Sequence, residues 1–137
     1  MTKKFLITVG ILGVLSVVFG AFGSHLLSGK ISEENMRVYN IALTYQIYHT
    51  LALLAMTFMN RYISRQYLNI IYWLFLVGIG LFSGSLFLIS TQEATNLIVG
   101  SIGFLTPLGG ISMIAGWIVV IFVGVTYQHK KRAIHSD

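Results

Sequence analysis

Four long apolar segments constrain this chain more than any other feature of its sequence. They cover residues 5–27, 41–60, 70–90 and 107–127. Each has close to the roughly 20 residues that a helix needs to cross a hydrocarbon core of about 30 Å. Because lipid offers the backbone no hydrogen-bond partner, segments that cross it must be helical. The sequence therefore predicts an all-α membrane protein in which residues 1–137 form one domain, a bundle of four transmembrane helices.

The composition agrees with a surface that faces lipid. Only 9% of the residues are charged and 55% are hydrophobic, whereas soluble domains carry about 25% charged residues. The net charge of +5 does not indicate a nucleic-acid partner, because the basic residues occur in short groups between apolar segments, as topology signals do. The chain has no cysteine, which excludes disulfides and thiolate metal sites.

The distribution of lysine and arginine predicts how the helices are oriented. One side of the membrane would carry seven basic residues: Lys3, Lys4, Arg61, Arg65, Lys130, Lys131 and Arg132. The other side would carry two, Lys30 and Arg37. Cytoplasmic loops are enriched in lysine and arginine. We therefore expect both termini in the cytoplasm and the protein in the bacterial cytoplasmic membrane, with the basic tail against anionic lipid.

The first segment also has features of a signal peptide. Two lysines precede an apolar run that ends in Ala21-Phe22-Gly23, a small-residue pattern of the kind that is cleaved. The run is longer than the usual 7 to 15 residues of such a peptide, and it carries regularly spaced glycines. We expect it to stay in the protein as the first span.

Small residues recur at helical spacing on three of the four segments. These are Gly13, Ser16, Gly20 and Gly23 on the first, Gly80, Gly84 and Ser85 on the third, and Gly109, Gly110, Ser112, Gly116 and Gly124 on the fourth. Small side chains let membrane helices approach closely. The pattern predicts packing faces within one chain, and a GxxxG pair such as Gly80 and Gly84 is also typical of helix dimers.

Two helix starts and one short apolar stretch can be assigned from local sequence. Ser32 followed by Glu33 and Glu34 predicts an N-cap that opens the second helix ahead of the membrane. Thr106-Pro107 predicts the N-cap and first position of the fourth helix. The apolar stretch 97–105 is too short to cross, so we expect an interfacial or re-entrant segment there.

The polar and ionisable residues best placed to bind a ligand or transfer a proton lie on the second segment. Tyr45, Gln46 and His49 share one helical face, and polar groups at membrane depth usually face the bundle interior. We expect hydrogen bonds from Gln46 and His49 to Ser83, Ser85 or backbone. An alternative is a ligand or proton pocket in which His49 titrates, with His25 of the first segment in the same cavity. Metal or haem ligation by the two histidines is less favoured, because two are too few for a closed zinc site and no carboxylate lies nearby to orient them.

Several of these landmarks together resemble the YwdK/YgdD family of small bacterial membrane proteins. The matching stretches are Gly20-Ala21-Phe22-Gly23-Ser24-His25, Tyr45-Gln46-Ile47-Tyr48-His49, Leu81-Phe82-Ser83-Gly84-Ser85-Leu86, Thr106-Pro107-Leu108-Gly109-Gly110 and Gly116-Trp117. Ser24 and Thr50 stand where alanine is common in the family. The resemblance implies a four-span protein of the bacterial cytoplasmic membrane and implies no activity, since none is assigned to the family.

Three functions fit the sequence. The first is a non-enzymatic membrane protein without a cofactor, which binds lipids or protein partners, further copies of itself included. It is favoured because no aspartate or glutamate lies in the four segments. The second is a transporter or channel-like subunit with a polar pocket around Gln46 and His49. The third is a haem- or metal-binding membrane protein.

Overall fold

The computed structural model describes residues 1–97 and 99–127, and over them every regular element is helical. The helices are α1 (Thr2–Phe22), α2 (Glu33–Phe58), α3 (Arg65–Ser90), the short α4 (Gln92–Thr95) and α5 (Leu105–Thr126). A π-helical turn, Gly23–Leu27, continues α1, a 3₁₀ turn, Met59–Arg61, continues α2, and another, Gly100–Phe104, precedes α5. With these extensions α1, α2, α3 and α5 are long and apolar enough to cross a membrane. The prediction of an all-α fold with four such helices is confirmed.

The long helices run up, down, up and down. At one end Asn60 on the C-terminal extension of α2 donates a hydrogen bond to Thr2 (3.1 Å), and Lys4 donates one to Asn69 on α3 (3.4 Å). At the other end the ring of Phe87 on α3 packs against Phe19 of α1 and Tyr39 of α2, with centroids 4.8 and 5.0 Å apart. The starts of α1 and α3 and the end of α2 therefore share one end of the bundle. The basic tail (Lys130, Lys131 and Arg132), His129 and His135 lie outside the described residues.

Helix α3 is the centre of the packing and contacts α1, α2 and α5. Its closest neighbour is α5, and three glycines explain why. A Cβ at Gly109 of α5 would overlap the backbone nitrogen of Phe82, one at Gly116 would lie 2.5 Å from the Phe75 ring, and one at Gly78 of α3 would lie 2.5 Å from Met113. Large apolar side chains fill the space between the helices, among them Phe5, Leu53, Ile71, Phe75 and Met113.

The predicted packing faces are right at some small residues and wrong at others. Gly23 lies against the Tyr39 ring, and Gly20 is in ordinary contact with Leu43. On α5 Gly110 contacts the Phe82 ring, and Ser112 donates a hydrogen bond to the carbonyl of Leu74 (2.8 Å). By contrast, a Cβ added at Gly13, Gly80, Gly84 or Gly124 would meet no atom of the described residues within 4 Å. The GxxxG pair of α3 is therefore not a packing face within the part of the chain that the structure describes.

Of the two predicted helix starts, one is confirmed and one is wrong. Ser32 caps α2, since its hydroxyl accepts a hydrogen bond from the backbone N–H of Asn35 (3.3 Å). Thr106 does not cap α5, which begins at Leu105. The Thr106 hydroxyl instead bonds to the hydroxyl of Ser85 (2.6 Å). Pro107 still lies in the first turn, where a missing N–H breaks no intrahelical bond.

The interfacial or re-entrant placement of the stretch 97–105 stays a prediction, and the structure shows how its second half is folded. Residues 100–104 form the 3₁₀ turn that leads directly into α5, with a non-helical kink at Ser101. Together they form one candidate span, Gly100–Thr126. A 3₁₀ turn is a common way to begin an α-helix, and it replaces the cap that Thr106 does not supply.

Candidate functional site

Gln46 and His49 lie in the interior of the bundle on the buried face of α2. Gln46 is 3% exposed and His49 is 5% exposed. They follow Tyr39 and Ala42 and precede Leu53 on this face, and steps of three and four residues keep all five on one side of a helix. The predicted burial of this polar pair is confirmed.

Gln46 connects α2 to α1. Its Nε2 donates one hydrogen bond to the hydroxyl of Ser16 (2.9 Å) and one to the carbonyl of Leu12 (3.3 Å). The Ser16 hydroxyl in turn donates to the same Leu12 carbonyl (2.8 Å). Ser16 was expected only as a small packing residue, and in the structure it is also the polar partner of Gln46.

His49 connects α2 to α5. The indole N–H of Trp117 donates a hydrogen bond to His49 Nε2 (3.1 Å), and His49 Nδ1 lies 2.8 Å from the carbonyl oxygen of Tyr45. An indole nitrogen can only donate, so Nε2 is the acceptor and the proton of the neutral imidazole lies on Nδ1, which donates to Tyr45. Both ring nitrogens are therefore occupied by partners within the chain. Binding of a metal or a proton at Nε2 requires the Trp117 bond to break.

Aromatic rings enclose His49 on several sides. The Phe75 ring of α3 meets it edge-on with centroids 5.1 Å apart, and the Trp117 ring does so at 6.1 Å. The ring of Tyr45 stacks on it at 6.2 Å. Tyr45 itself is 42% exposed, and its ring contacts Phe82. This arrangement holds the imidazole in place rather than presenting it to a substrate.

Of the expected partners of Gln46 and His49, the backbone is right, since they bond to the carbonyls of Leu12 and Tyr45, and the two serines are wrong. Ser85 bonds to Thr106 and to the carbonyl of Phe82 (3.0 Å). Ser83 is 1% exposed, and its hydroxyl has no hydrogen-bond partner among the described residues. The true side-chain partners are Ser16 and Trp117. One signal in the sequence pointed to Trp117, since an indole N–H at membrane depth needs an acceptor and few side-chain acceptors lie at that depth in this chain.

His25 does not belong to this polar cluster. It is exposed, in the π-helical turn that ends α1. The contacts of Gly23 with Tyr39 and of Ser16 with Gln46 fix the register of α1 on α2. At 1.5 Å per residue this register puts His25 about 18 Å from His49 along the bundle axis. The shared cavity that was considered for the two histidines is therefore not formed.

The hydrogen bonds of Gln46 and His49 limit the chemistry that this polar cluster can carry out. In the part of the chain that the structure describes, no three histidines, aspartates or glutamates lie where they would hold a metal ion. Gln46 and His49 have their donors directed at Ser16, Leu12 and Tyr45. The geometry is that of a pair of interhelical cross-links, α2 to α1 and α2 to α5.

Four helices that are long and apolar enough to cross a membrane, joined by hydrogen bonds between polar side chains, are the architecture of a small integral membrane protein. Over residues 19–110 the chain matches the family described as Protein of unknown function (DUF423), and it belongs to that family.

Relatives match over nearly the whole chain. It is 36% identical over 126 residues to the UPF0382 membrane protein YwdK of Bacillus subtilis, covering 91% of this chain and 98% of YwdK. It is 37% identical over 141 residues to the UPF0382 inner membrane protein YgdD of Escherichia coli K12, covering 99% and 100%. A UPF0382 membrane protein of Staphylococcus aureus is 40% identical over 119 residues, covering 87% and 93%. No solved structure matches. The resemblance inferred from the sequence is confirmed.

Proposed function

We propose that this chain is a non-catalytic integral membrane protein that acts by binding membrane lipids or protein partners with its outer faces. The observation that carries the proposal is the hydrogen bonding of Gln46 and His49, which is directed at Ser16 of α1, Trp117 of α5 and backbone carbonyls. Catalysis by His49 would need a partner to orient it and a substrate beside it, and its neighbours are aromatic rings. No carboxylate lies in residues 41–60.

The outer surface supports the binding part of the proposal. Within residues 1–97 and 99–127 no other helix covers Gly80 and Gly84 on α3, so a helix of a second copy or of another membrane protein has room to approach there. The outward faces of α1 and α5 are rich in exposed apolar side chains such as Val17, Ile118 and Val125. Lipid is the solvent for which such faces are suited.

Substitution of Gln46 by leucine separates this function from transport. Leucine has a similar size but no donor, and an interhelical hydrogen bond in a membrane contributes about 0.6 to 2 kcal/mol. We expect Gln46→Leu to lose about 1 kcal/mol of stability in a thermal or SDS unfolding titration. In proteoliposomes, with and without a pH gradient, we expect proton and solute flux at the level of empty vesicles for both wild type and variant. Wild-type flux above that level that disappears in Gln46→Leu would establish the transporter alternative.

We further propose that the membrane is the bacterial cytoplasmic membrane and that both termini are in the cytoplasm. Lys4, Arg61 and Arg65 lie at one end of the bundle, whereas Glu93 lies at the other, bonded to the backbone N–H of Ser32 (2.6 Å). The positive-inside rule assigns the first end to the cytoplasm. YgdD is named an inner membrane protein, which is consistent with this assignment.

Cysteine labelling tests this orientation directly, because the natural chain has no cysteine. Ser28 and Ser64 are exposed and lie in turns at opposite ends of the bundle. We expect a membrane-impermeant maleimide added to intact spheroplasts to label Ser28→Cys at once and Ser64→Cys only after the membrane is permeabilised. The reverse order of labelling contradicts the proposed orientation, and labelling of both variants from outside contradicts a single orientation.

A further inference from the structure

A groove of about 390 Å³ lies between the C-terminal ends of α2 and α5. Met56 and Met59 line one side, Val120 and Val123 line the other, and nearly all of the lining surface is apolar. Its volume falls within the roughly 300 to 1,000 Å³ of typical ligand clefts. From Val120 to its end at Thr126, α5 rises about 9 Å at 1.5 Å per residue. These dimensions and this lining fit a section of a hydrocarbon chain.

Gly124 keeps the groove open. It lines the groove, and a Cβ added there would meet no atom within 4 Å. A larger side chain at this position therefore enters the groove without displacing a neighbouring helix. The sequence suggested Gly124 as a helix-packing residue, but in the structure its missing side chain leaves part of the groove empty.

At one end of the groove lie two tyrosines, as is typical of the level where the lipid headgroups meet the hydrocarbon. The rings of Tyr62 and Tyr127 meet edge to face with centroids 6.4 Å apart, and both residues line the groove. Tyrosine is enriched where the hydrocarbon meets the headgroups, because its ring is apolar and its hydroxyl is polar. An acyl chain in the groove would thus have its polar end beside these two residues.

Two arginines lie at this same end of the bundle. Arg61 directly precedes Tyr62, and Arg65 begins α3. Both are exposed, and in residues 1–97 and 99–127 neither guanidinium makes a hydrogen bond or an ion pair. The glutamates of the described chain begin α2 or lie in α4, at the opposite end. A guanidinium binds phosphate through paired, charge-assisted hydrogen bonds.

We propose that the groove between α2 and α5 binds an acyl chain of a phospholipid with a net negative headgroup, whose phosphate contacts Arg61 and Arg65. The inference rests on the proposed function and names the class of lipid and the place where it binds. Basic pockets between transmembrane helices are known to take anionic headgroups. A second groove of about 280 Å³ runs past Gly13 and Ser16. Among the described residues neither groove is lined by an arginine or lysine, but the first is lined by Tyr62 and Ile63, which lie between Arg61 and Arg65 in the sequence. The second groove is therefore the natural site for comparison.

The test uses the full chain, purified in detergent and stripped of lipid. Binding of phosphatidylglycerol and of phosphatidylcholine with the same acyl chains is measured by native mass spectrometry and by the shift in melting temperature. Both lipids carry a phosphate, but the ammonium group of choline offsets its charge near the arginines, so we expect phosphatidylglycerol to bind about tenfold more tightly. Arg61→Gln combined with Arg65→Gln should weaken phosphatidylglycerol binding the more and leave the two lipids with equal affinity. Arg37→Gln removes a cation from the opposite end of the bundle and should change the binding of neither lipid.

Filling the groove tests the acyl-chain site separately from the headgroup site. We expect Gly124→Leu, and independently Val123→Phe, to weaken binding of both lipids, while Gly13→Leu in the second groove leaves it unchanged. The circular dichroism melt of each variant shows whether it is folded. If one of the two groove variants does not fold, the other still tests the acyl-chain site.

Each other result overturns part of the proposal. Equal binding of the two lipids by the wild type removes the anionic selectivity and leaves lipid binding as the function. Binding of neither lipid above the detergent background contradicts the lipid-binding function as well. A wild-type dimer that becomes a monomer in Gly124→Leu, with lipid binding unchanged, would assign the groove to a second copy of this chain.

Discussion

Substitution of Gly109 by alanine is expected to be among the most damaging single-methyl changes in this protein. The added Cβ would overlap the backbone nitrogen of Phe82 and lie 2.8 Å from its Cα. A backbone held in the middle of α3 cannot rotate away as the end of a side chain can, so α3 and α5 must move apart. Overpacking of a core costs about 1 to 3 kcal/mol and occasionally more. We expect a loss of about 3 kcal/mol, measured by SDS unfolding or by the melting temperature in detergent.

Gly84→Ala is the matched control for this prediction. Gly84 lies on the helix that Gly109 contacts, two residues beyond Phe82, and a Cβ there would meet nothing within 4 Å. Alanine is also the better helix former, by about 1 kcal/mol in water. We expect Gly84→Ala to be neutral or slightly stabilising, and Gly80→Ala likewise. A loss in Gly84→Ala as large as that in Gly109→Ala would show that the assigned face of α3 is wrong.

This contrast shows which parts of the fold the sequence determines locally. The four spans and the Ser32 cap were predicted because segment length, hydropathy and capping depend on neighbouring residues. The face that each helix turns toward its neighbours depends on rotation and register. In lipid the outward face is as apolar as the inward one, so hydropathy does not reveal it. Gly78 was missed and Gly80 was favoured for this reason, although they lie two residues apart.

The polar cluster shows the same limit at the level of single contacts. Gln46 and His49 were predicted to be buried, because polar groups at membrane depth avoid lipid, and they are. The sequence predicts partners on α3 or in the backbone, whereas the side-chain partners are Ser16 on α1 and Trp117 on α5. The sequence also allows His25 to lie near His49, because adjacent antiparallel helices permit it, and the register of α1 on α2 separates them. The hydrogen-bond partners of Gln46 and His49 could be identified only from the three-dimensional arrangement of the helices.

Substitution of His49 by alanine is the second change for which we expect a large effect. It removes a ring that contacts Phe75 and Trp117, and deletion of a large buried side chain leaves a cavity. It also leaves the Trp117 N–H without its acceptor, at a depth where lipid offers no replacement. We expect the free energy of unfolding to fall by about 3 kcal/mol, measured in the same titration.

Trp117→Phe isolates the hydrogen bond from the packing. Phenylalanine keeps an aromatic ring beside Phe75 but has no N–H, and the cycle formed with His49→Ala measures the coupling between the two residues. We expect a coupling of about 0.6 to 2 kcal/mol, the range for polar bonds between membrane helices. Additive effects, within about 0.3 to 0.5 kcal/mol, would mean that the bond between His49 and Trp117 contributes nothing to stability.

His25→Ala is the control that distinguishes this structural role of histidine from a functional one. His25 is exposed and makes no side-chain hydrogen bond within the described residues, so its removal should change stability by less than about 0.5 kcal/mol. If His49 is a cross-link, any loss of function in His49→Ala follows from its loss of stability, and a variant stabilised elsewhere in the bundle regains both. If His49 acts on a ligand or a proton, restored stability leaves the function absent. That second outcome would contradict the assignment of His49 to the structural core.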